Sequence, residues 1–281
     1  MNAREGGLRD DAGHTIFGER PWWTPSSRAF SMNDFNRGYA RSIPADRADM
    51  SVDAGLRKFM LGVYNKVALG LVVSGALAYA TSSVPAVRDL LFVVQGGRLA
   101  GVTPLYMVVA FAPLVLMLIA GFAMRNPKPE TAGALYWTIV SLIGASLGSV
   151  MLRYTGESVA ATFFVTATAF GGLSLFGYTT KKDLTGFGSF LMMGVIGLIV
   201  ASIVSIFLKS PALLFAINVL GVLIFSGLIA YDTQRLKMTY YEMGGDRASM
   251  AVATNFGALS LYINFINLFQ FLLSFFGGNR E

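Results

Sequence analysis

Ionisable side chains inside the apolar stretches of this chain are few enough to weigh one at a time. Asp232 stands in the run Ile229-Ala230-Tyr231-Asp232-Thr233-Gln234, at the inner end of a long hydrophobic stretch. A carboxylate at bilayer depth costs about 2.5–3.5 kcal/mol on insertion scales, and less near the interface. It must be protonated, paired or turned to a wet cavity. Arg235 lies three residues on and on the same helical side, so a plain juxtamembrane ion pair is one reading. In the last hydrophobic stretch Ser260, Asn264 and Asn267 recur at spacings of four and three and share a helix face. Amides at such depth commonly hydrogen-bond a neighbouring helix, and interhelical glue is their structural reading. The functional reading joins both groups along a hydrated route between the helices.

Other chemistry is poorly supplied. The chain has no cysteine, which removes thiol catalysis and cysteine-ligated metals. Its one histidine, His14, lies outside the apolar stretches. An intramembrane hydrolase needs paired carboxylates or a serine with a base, so an enzyme is not expected. No cofactor is expected.

The elements that would position these groups follow from composition. Of 281 residues, 54% are hydrophobic and 14% charged, against a charged share of about 25% in soluble domains. A bilayer core needs roughly 20 apolar residues per helix. Stretches at about 59–80, 103–124, 132–152, 158–178, 186–208, 212–233 and 255–276 meet that length, which predicts an all-α polytopic membrane protein with seven spans. Pro127, Pro129 and Pro211 fall at helix stops or first turns. Gly144 and Gly148 form a small-xxx-small pair suited to close helix packing, and the same role is expected of Gly171, Gly172, Gly194 and Gly197. Residues 1–58 are polar and read as a largely disordered cytosolic arm preceding a transmembrane domain over 59–278. Trp22 and Trp23 could rest at a headgroup boundary, and Met32 is an alternative start.

Loop charges give the expected orientation. With the N-terminus inside, the arm, Arg125, Lys128, Lys181, Lys182, Arg235, Lys237 and Arg247 fall on the inner side. Arg88, Arg98, Arg153, Lys209 and Arg280 fall outside, and Lys66 lies within the first span, where it can snorkel. The net charge of +6 therefore reads as a topology signal, and no nucleic-acid partner is expected. The N-terminus is placed in the cytoplasm and the C-terminus outside. Span six then descends to Asp232, and Asn264 sits about 10–15 Å above the start of span seven, so the two can meet.

Three long motifs carry a resemblance over roughly residues 50–278. They are Gly177-Tyr178-Thr179-Thr180-Lys181-Lys182-Asp183-Leu184-Thr185-Gly186-Phe187-Gly188, then Ala230-Tyr231-Asp232-Thr233-Gln234-Arg235-Leu236-Lys237, then Leu259-Ser260-Leu261-Tyr262-Ile263-Asn264-Phe265-Ile266-Asn267-Leu268-Phe269. The chain resembles the Bax inhibitor-1 family, the transmembrane Bax inhibitor motif proteins, in its bacterial YccA-like branch. The resemblance implies six helices around a central hydrophobic one, in a bacterial inner membrane. It also implies a pH-modulated calcium leak, closed in the conducting members by an aspartate on span six and another on span seven. Asp232 matches the first, which implies a gate and candidate calcium ligand there with Ca²⁺ as a permeant or regulatory ion, whereas Asn264 stands at the second. Two close carboxylates share a proton and attract Ca²⁺ together, and an Asp facing an Asn lacks that like-charge coupling. Weaker calcium attraction and a shifted or absent pH response are therefore expected. The family's intramembrane arginine has no counterpart in span two before Arg125. The rival expectation is a non-conducting regulator that binds other membrane proteins, such as a quality-control protease, within the lipid bilayer.

Overall fold

The structure, a computed structural model, describes residues 54–96, 98–123, 127–243 and 246–278. Most of the arm, with His14, Trp22, Trp23 and Met32, lies outside the described residues, as does Arg125. In chain order the elements are α1 (Ala54–Ser83), α2 (Pro85–Leu91), β1 (Phe92–Gln95), β2 (Arg98–Val102), α3 (Pro104–Ala123), α4 (Pro129–Ser146), α5 (Gly148–Arg153), α6 (Gly156–Thr179), α7 (Thr185–Leu208), α8 (Pro211–Glu242) and α9 (Arg247–Phe276). Taking α4 and α5 as one span, seven helices among the described residues are long and apolar enough to cross a membrane. Pro129 and Pro211 open their helices as first-turn residues, where a missing N–H costs nothing.

Several helices outrun their hydropathy. The first begins at Ala54, inside the expected arm, and carries the exposed Arg57 and Lys58. Helix α8 continues to Glu242, and α9 starts at Arg247. Asp232 is thus about 15 Å short of its helix end, and Asn264 about 25 Å from the start of α9 rather than 10–15 Å. Hydropathy marks the lipid-embedded part of a helix. The backbone bonds of a helix continue through the interface wherever polar residues keep them paired. The segment between α2 and α3 forms an antiparallel hairpin, with Phe92 opposite Val102, which the sequence reading did not anticipate. Its Phe92 is buried with Leu91 and Leu152.

Helix α9 is the most enclosed, with half of its apolar window buried. It packs on α8, α1, α4 and α6, while α3 makes its main contacts with α4 and α7 with α8. The expected ring of six is therefore four helices around α9, flanked by two outer ones. Those outer helices present large side chains outward, as Phe122 and Phe207 do at 85% and 80% exposure, which suits contact with lipid tails. Gly144 lets α4 lie directly against the Ser74 backbone, and Gly148 lies against Thr81 of α1. Gly171, Gly172 and Gly197 do not share that role. A methyl group added to any of them would meet nothing within 4 Å, because these faces point away from the packed core.

Candidate functional site

The site lies where the second half of α8 crosses α9. Asp232 is 4% exposed and stands where the apolar run of α8 gives way to Thr233, Gln234 and Arg235. Its two carboxylate oxygens are served separately. Oδ2 accepts a short hydrogen bond from Ser260 Oγ and a second from Asn264 Nδ2 at 2.8 Å. Oδ1 faces Arg235 Nη2 at 3.1 Å. The Arg235 side chain is about half exposed and lies over the Tyr231 ring, with 5.6 Å from its guanidinium carbon to the centroid. The juxtamembrane pair and the interhelical contact are therefore one cluster. Asn267 is not part of it. Its Nδ2 donates back to Ile263 O at 2.8 Å.

Asn267 instead lines a polar cavity of about 480 Å³ at the opposite end of the bundle, with Asn218, Gln270, Ser274, Tyr106 and Arg153. There Asn218 Nδ2 donates to Ser274 Oγ at 2.7 Å, again joining α8 to α9. Between this cavity and Asp232 the interface is apolar. Phe225 stacks on Phe271 with centroids 5.7 Å apart, Phe271 lies over Gly221, and Leu228 is buried beside them. One helix pair thus carries polar groups at both ends and an aromatic layer between.

The loop after α6 is fastened to the same crossing. Gln234 Nε2 donates to Lys182 O at 2.7 Å, and Gln234 Oε1 accepts from Leu184 N at 2.8 Å. Gly177 permits α6 to approach the Ala230 carbonyl, where a Cβ would collide with backbone. Gly188 likewise admits the Tyr231 ring. Within the loop, the side chain and backbone N–H of Thr185 hold the Asp183 carboxyl below its ordinary value. Asp246, outside the spans, is lowered in the same way by Ser249, whose backbone N–H it caps at 2.8 Å.

The family model described as inhibitor of apoptosis-promoting Bax1 matches residues 56–281. The chain belongs to the Bax inhibitor-1 family. Among its relatives is RP147 of Rickettsia prowazekii, 41% identical over 86% of this chain and 99% of that protein. The inner membrane protein YbhL of Escherichia coli K12 is 40% identical over 81% of this chain and 94% of its own length. A Streptococcus pyogenes membrane protein is 33% identical, with 81% and 95% covered. In this Bax inhibitor-1 protein the three long motifs converge on one crossing. The first supplies Gly177, Gly188 and the fastened loop, the second Asp232 and Gln234, and the third Ser260 and Asn264.

Two further contacts escaped the sequence reading. Lys66 does not simply snorkel, since its Nζ donates to Asn255 Oδ1 on α9 and lies over the Tyr136 ring. Tyr136 Oη in turn donates to Lys66 O at 2.5 Å. Ser74 hydrogen-bonds the buried Tyr262 hydroxyl at 2.6 Å and donates to Val140 O at 3.1 Å, tying α1 to α9 and α4. Both couplings join residues far apart in the chain, and local spacing carries no trace of them.

Proposed function

We propose that this Bax inhibitor-1 protein is a proton-modulated cation leak, closed at the α8–α9 crossing, with Asp232 as the gate carboxylate. The observation that supports this reading best is the buried Asp232, aligned through one helix pair with a polar cavity at the other end. Ser260 and Asn264 hold the carboxylate from α9 and Arg235 neutralises it from α8. Protonation would remove the ion pair and turn one acceptor oxygen into a donor, loosening the crossing. Calcium enters as a permeant ion. A resident Ca²⁺ wants six to eight oxygens, and here the acid is already committed to Arg235. Among the described residues no three acidic, histidine or cysteine side chains cluster to hold a metal.

The reading places the chain in a bacterial inner membrane, with its N-terminus in the cytoplasm and its C-terminus outside. Arg57, Lys58, Lys181, Lys182 and Arg247 gather toward the Asp232 end, as the excess of cytoplasmic cations requires. The second reading is a non-conducting regulator of other membrane proteins, such as a quality-control protease. It is favoured by the complete hydrogen bonding of Asp232, which also suits a permanent structural latch.

Calcium entry into proteoliposomes holding a trapped calcium dye separates the two. Under the leak reading wild type conducts with a flux that depends on pH, and Asp232→Asn, reconstituted in equal amount, conducts without that pH dependence. A flux-silent wild type, or a variant that keeps the wild-type pH dependence across pH 5–8, refutes it.

A further inference from the structure

Helices α1 and α6 both pack on α9 but leave a seam between themselves, bridged where Tyr64 meets Phe170 edge-on with centroids 6.4 Å apart. On the Asp232 side of that bridge lies a cavity of about 580 Å³, lined by Arg57, Met60, Tyr64, Gly171, Ser174 and Tyr178. Three features of this cavity point to one kind of occupant.

The first is an orphaned hydroxyl. Ser174 is 5% exposed, and its Oγ makes no hydrogen bond among the described residues. Serine and threonine inside helices normally fold back on the carbonyl four residues earlier. On the same helix Thr166, Thr168 and Thr179 do so, whereas Ser174 does not. Tyr64 turns its hydroxyl toward Ser174 without completing a bond. A buried hydroxyl left unpaired costs free energy, so an acceptor entering the cavity from outside would be favoured. The second is an unpaired cation. Arg57 stands at the end of the seam, exposed beside Lys58, and has no ion-pair partner among the described residues. The third is open space at Gly171, where an added methyl group would touch nothing within 4 Å.

The order along the membrane normal matters. Arg57 marks the interface, Ser174 lies about one helical turn deeper than Tyr178, and the remaining wall toward Phe170 is apolar. A glycerophospholipid carries the same sequence of groups, namely an anionic phosphate, an ester carbonyl and then hydrocarbon. Basic pockets between spans are established acceptors of lipid headgroups. We propose that the α1–α6 seam is a site for an anionic glycerophospholipid, with its phosphate on Arg57, an ester carbonyl accepting from Ser174 and an acyl chain over Gly171.

The test uses the full chain reconstituted with a mixture of phosphatidylglycerol and phosphatidylethanolamine, extracted gently and weighed intact by native mass spectrometry. Wild type should retain phosphatidylglycerol. Gly171→Trp should lose it, while Gly197→Trp, which fills an equally open position on α7, should keep it. Arg57→Ala should lower the preference for phosphatidylglycerol over phosphatidylethanolamine about fivefold, the factor expected for one interfacial cation. Photolabelling with a diazirine-bearing phosphatidylglycerol gives an answer that does not depend on the tryptophan variants folding. Adducts on α1 and α6 support the site. Adducts spread evenly over α3 and α7, or equal retention by the Gly171 and Gly197 variants, overturn it.

Discussion

Restoring a second carboxylate at the α8–α9 crossing should create a proton shared between two acids, a contact that the native chain, with Asn264 there, lacks. In Asn264→Asp, an oxygen replaces the amide nitrogen that now donates to Asp232 Oδ2 at 2.8 Å. Two charges about 3 Å apart repel by about 5 kcal/mol at an effective dielectric constant of 20. Arg235, 3.1 Å from the other oxygen, offsets part of this. The cheaper solution is to bind one proton between the two acids, which recreates a donor close in shape to the native amide. The sign follows directly. The pair holds its proton more tightly when folded than when unfolded, so the variant is close to wild type at low pH and loses stability as pH rises. Linkage gives about 1.4 kcal/mol per pH unit until the shared proton is lost. A repulsion of about 5 kcal/mol, partly offset by Arg235, therefore leaves at most about 3 kcal/mol between pH 5 and pH 8. Thermal unfolding of detergent-solubilised protein across that range is the assay. The midpoint of the variant should fall on the order of 10 °C further than that of wild type, on the scale of soluble domains. Parallel curves for the two proteins would refute the geometry of the crossing, because acids that do not face each other have no reason to share a proton.

Other perturbations test the fastening of the site. Gly177→Ala would place a methyl group against the Ala230 carbonyl, so it should destabilise by about 1–3 kcal/mol, while Gly171→Ala should be neutral within about 1 kcal/mol. Unfolding midpoints of the two variants check this. Gln234→Ala removes both hydrogen bonds that dock the Lys182–Leu184 backbone, so amide exchange in residues 180–186 should quicken while α4 keeps its protection. The capping acids Asp183 and Asp246 are held below their ordinary value of 3.8, so their contribution is complete above that value and is lost as pH falls through the lowered one. Replacing both by alanine should leave a stability difference from wild type at pH 7 that shrinks as pH falls below 3.8.

How much was legible follows from the range of each signal. The seven spans announce themselves because lipid forces long apolar runs, and Asp232 stands out because charge in such a run is rare. The shared face of Ser260 and Asn264 is a matter of helical period, so their meeting with Asp232 could be anticipated. Asn267 has the same period but drops out of the cluster, since one further turn of α9 carries it toward Phe225 and the opposite cavity. Lys66 and Asn255 are 189 residues apart, and no local rule pairs them. Glycines are ambiguous for a related reason. Gly144 and Gly171 look alike in sequence, but the neighbour that makes one a contact and leaves the other open belongs to a distant helix. The ends of α1, α8 and α9 lie beyond their apolar runs, because polar turns at the interface stay helical while lowering the hydropathy.

The α8–α9 pair also limits how any leak could work. The hydrogen bonds from Ser260 and Asn264 to a carboxylate are each worth about 1.5–3 kcal/mol. Phe225 and Phe271 add about 0.5–1.5 kcal/mol beyond the area they bury. Neutralising Asp232 therefore loosens one end of the crossing and leaves the aromatic layer shut. Opening requires α9 to move against α8, and the side chains on that face favour a rotation over a wholesale separation. Asn264 and Asn267 are about 4.5 Å apart along the axis and flank the helical line that carries Phe271. A rotation that withdraws the Phe271 ring from Gly221 keeps one of these carboxamides facing α8, so the apolar layer is replaced by oxygen ligands instead of a void. In this picture the acid sets how often the pair loosens, and the phenylalanines keep it closed the rest of the time. Asn264 in place of a second acid then denies the gate a proton shared between two carboxylates without removing the polar face along which an ion would pass.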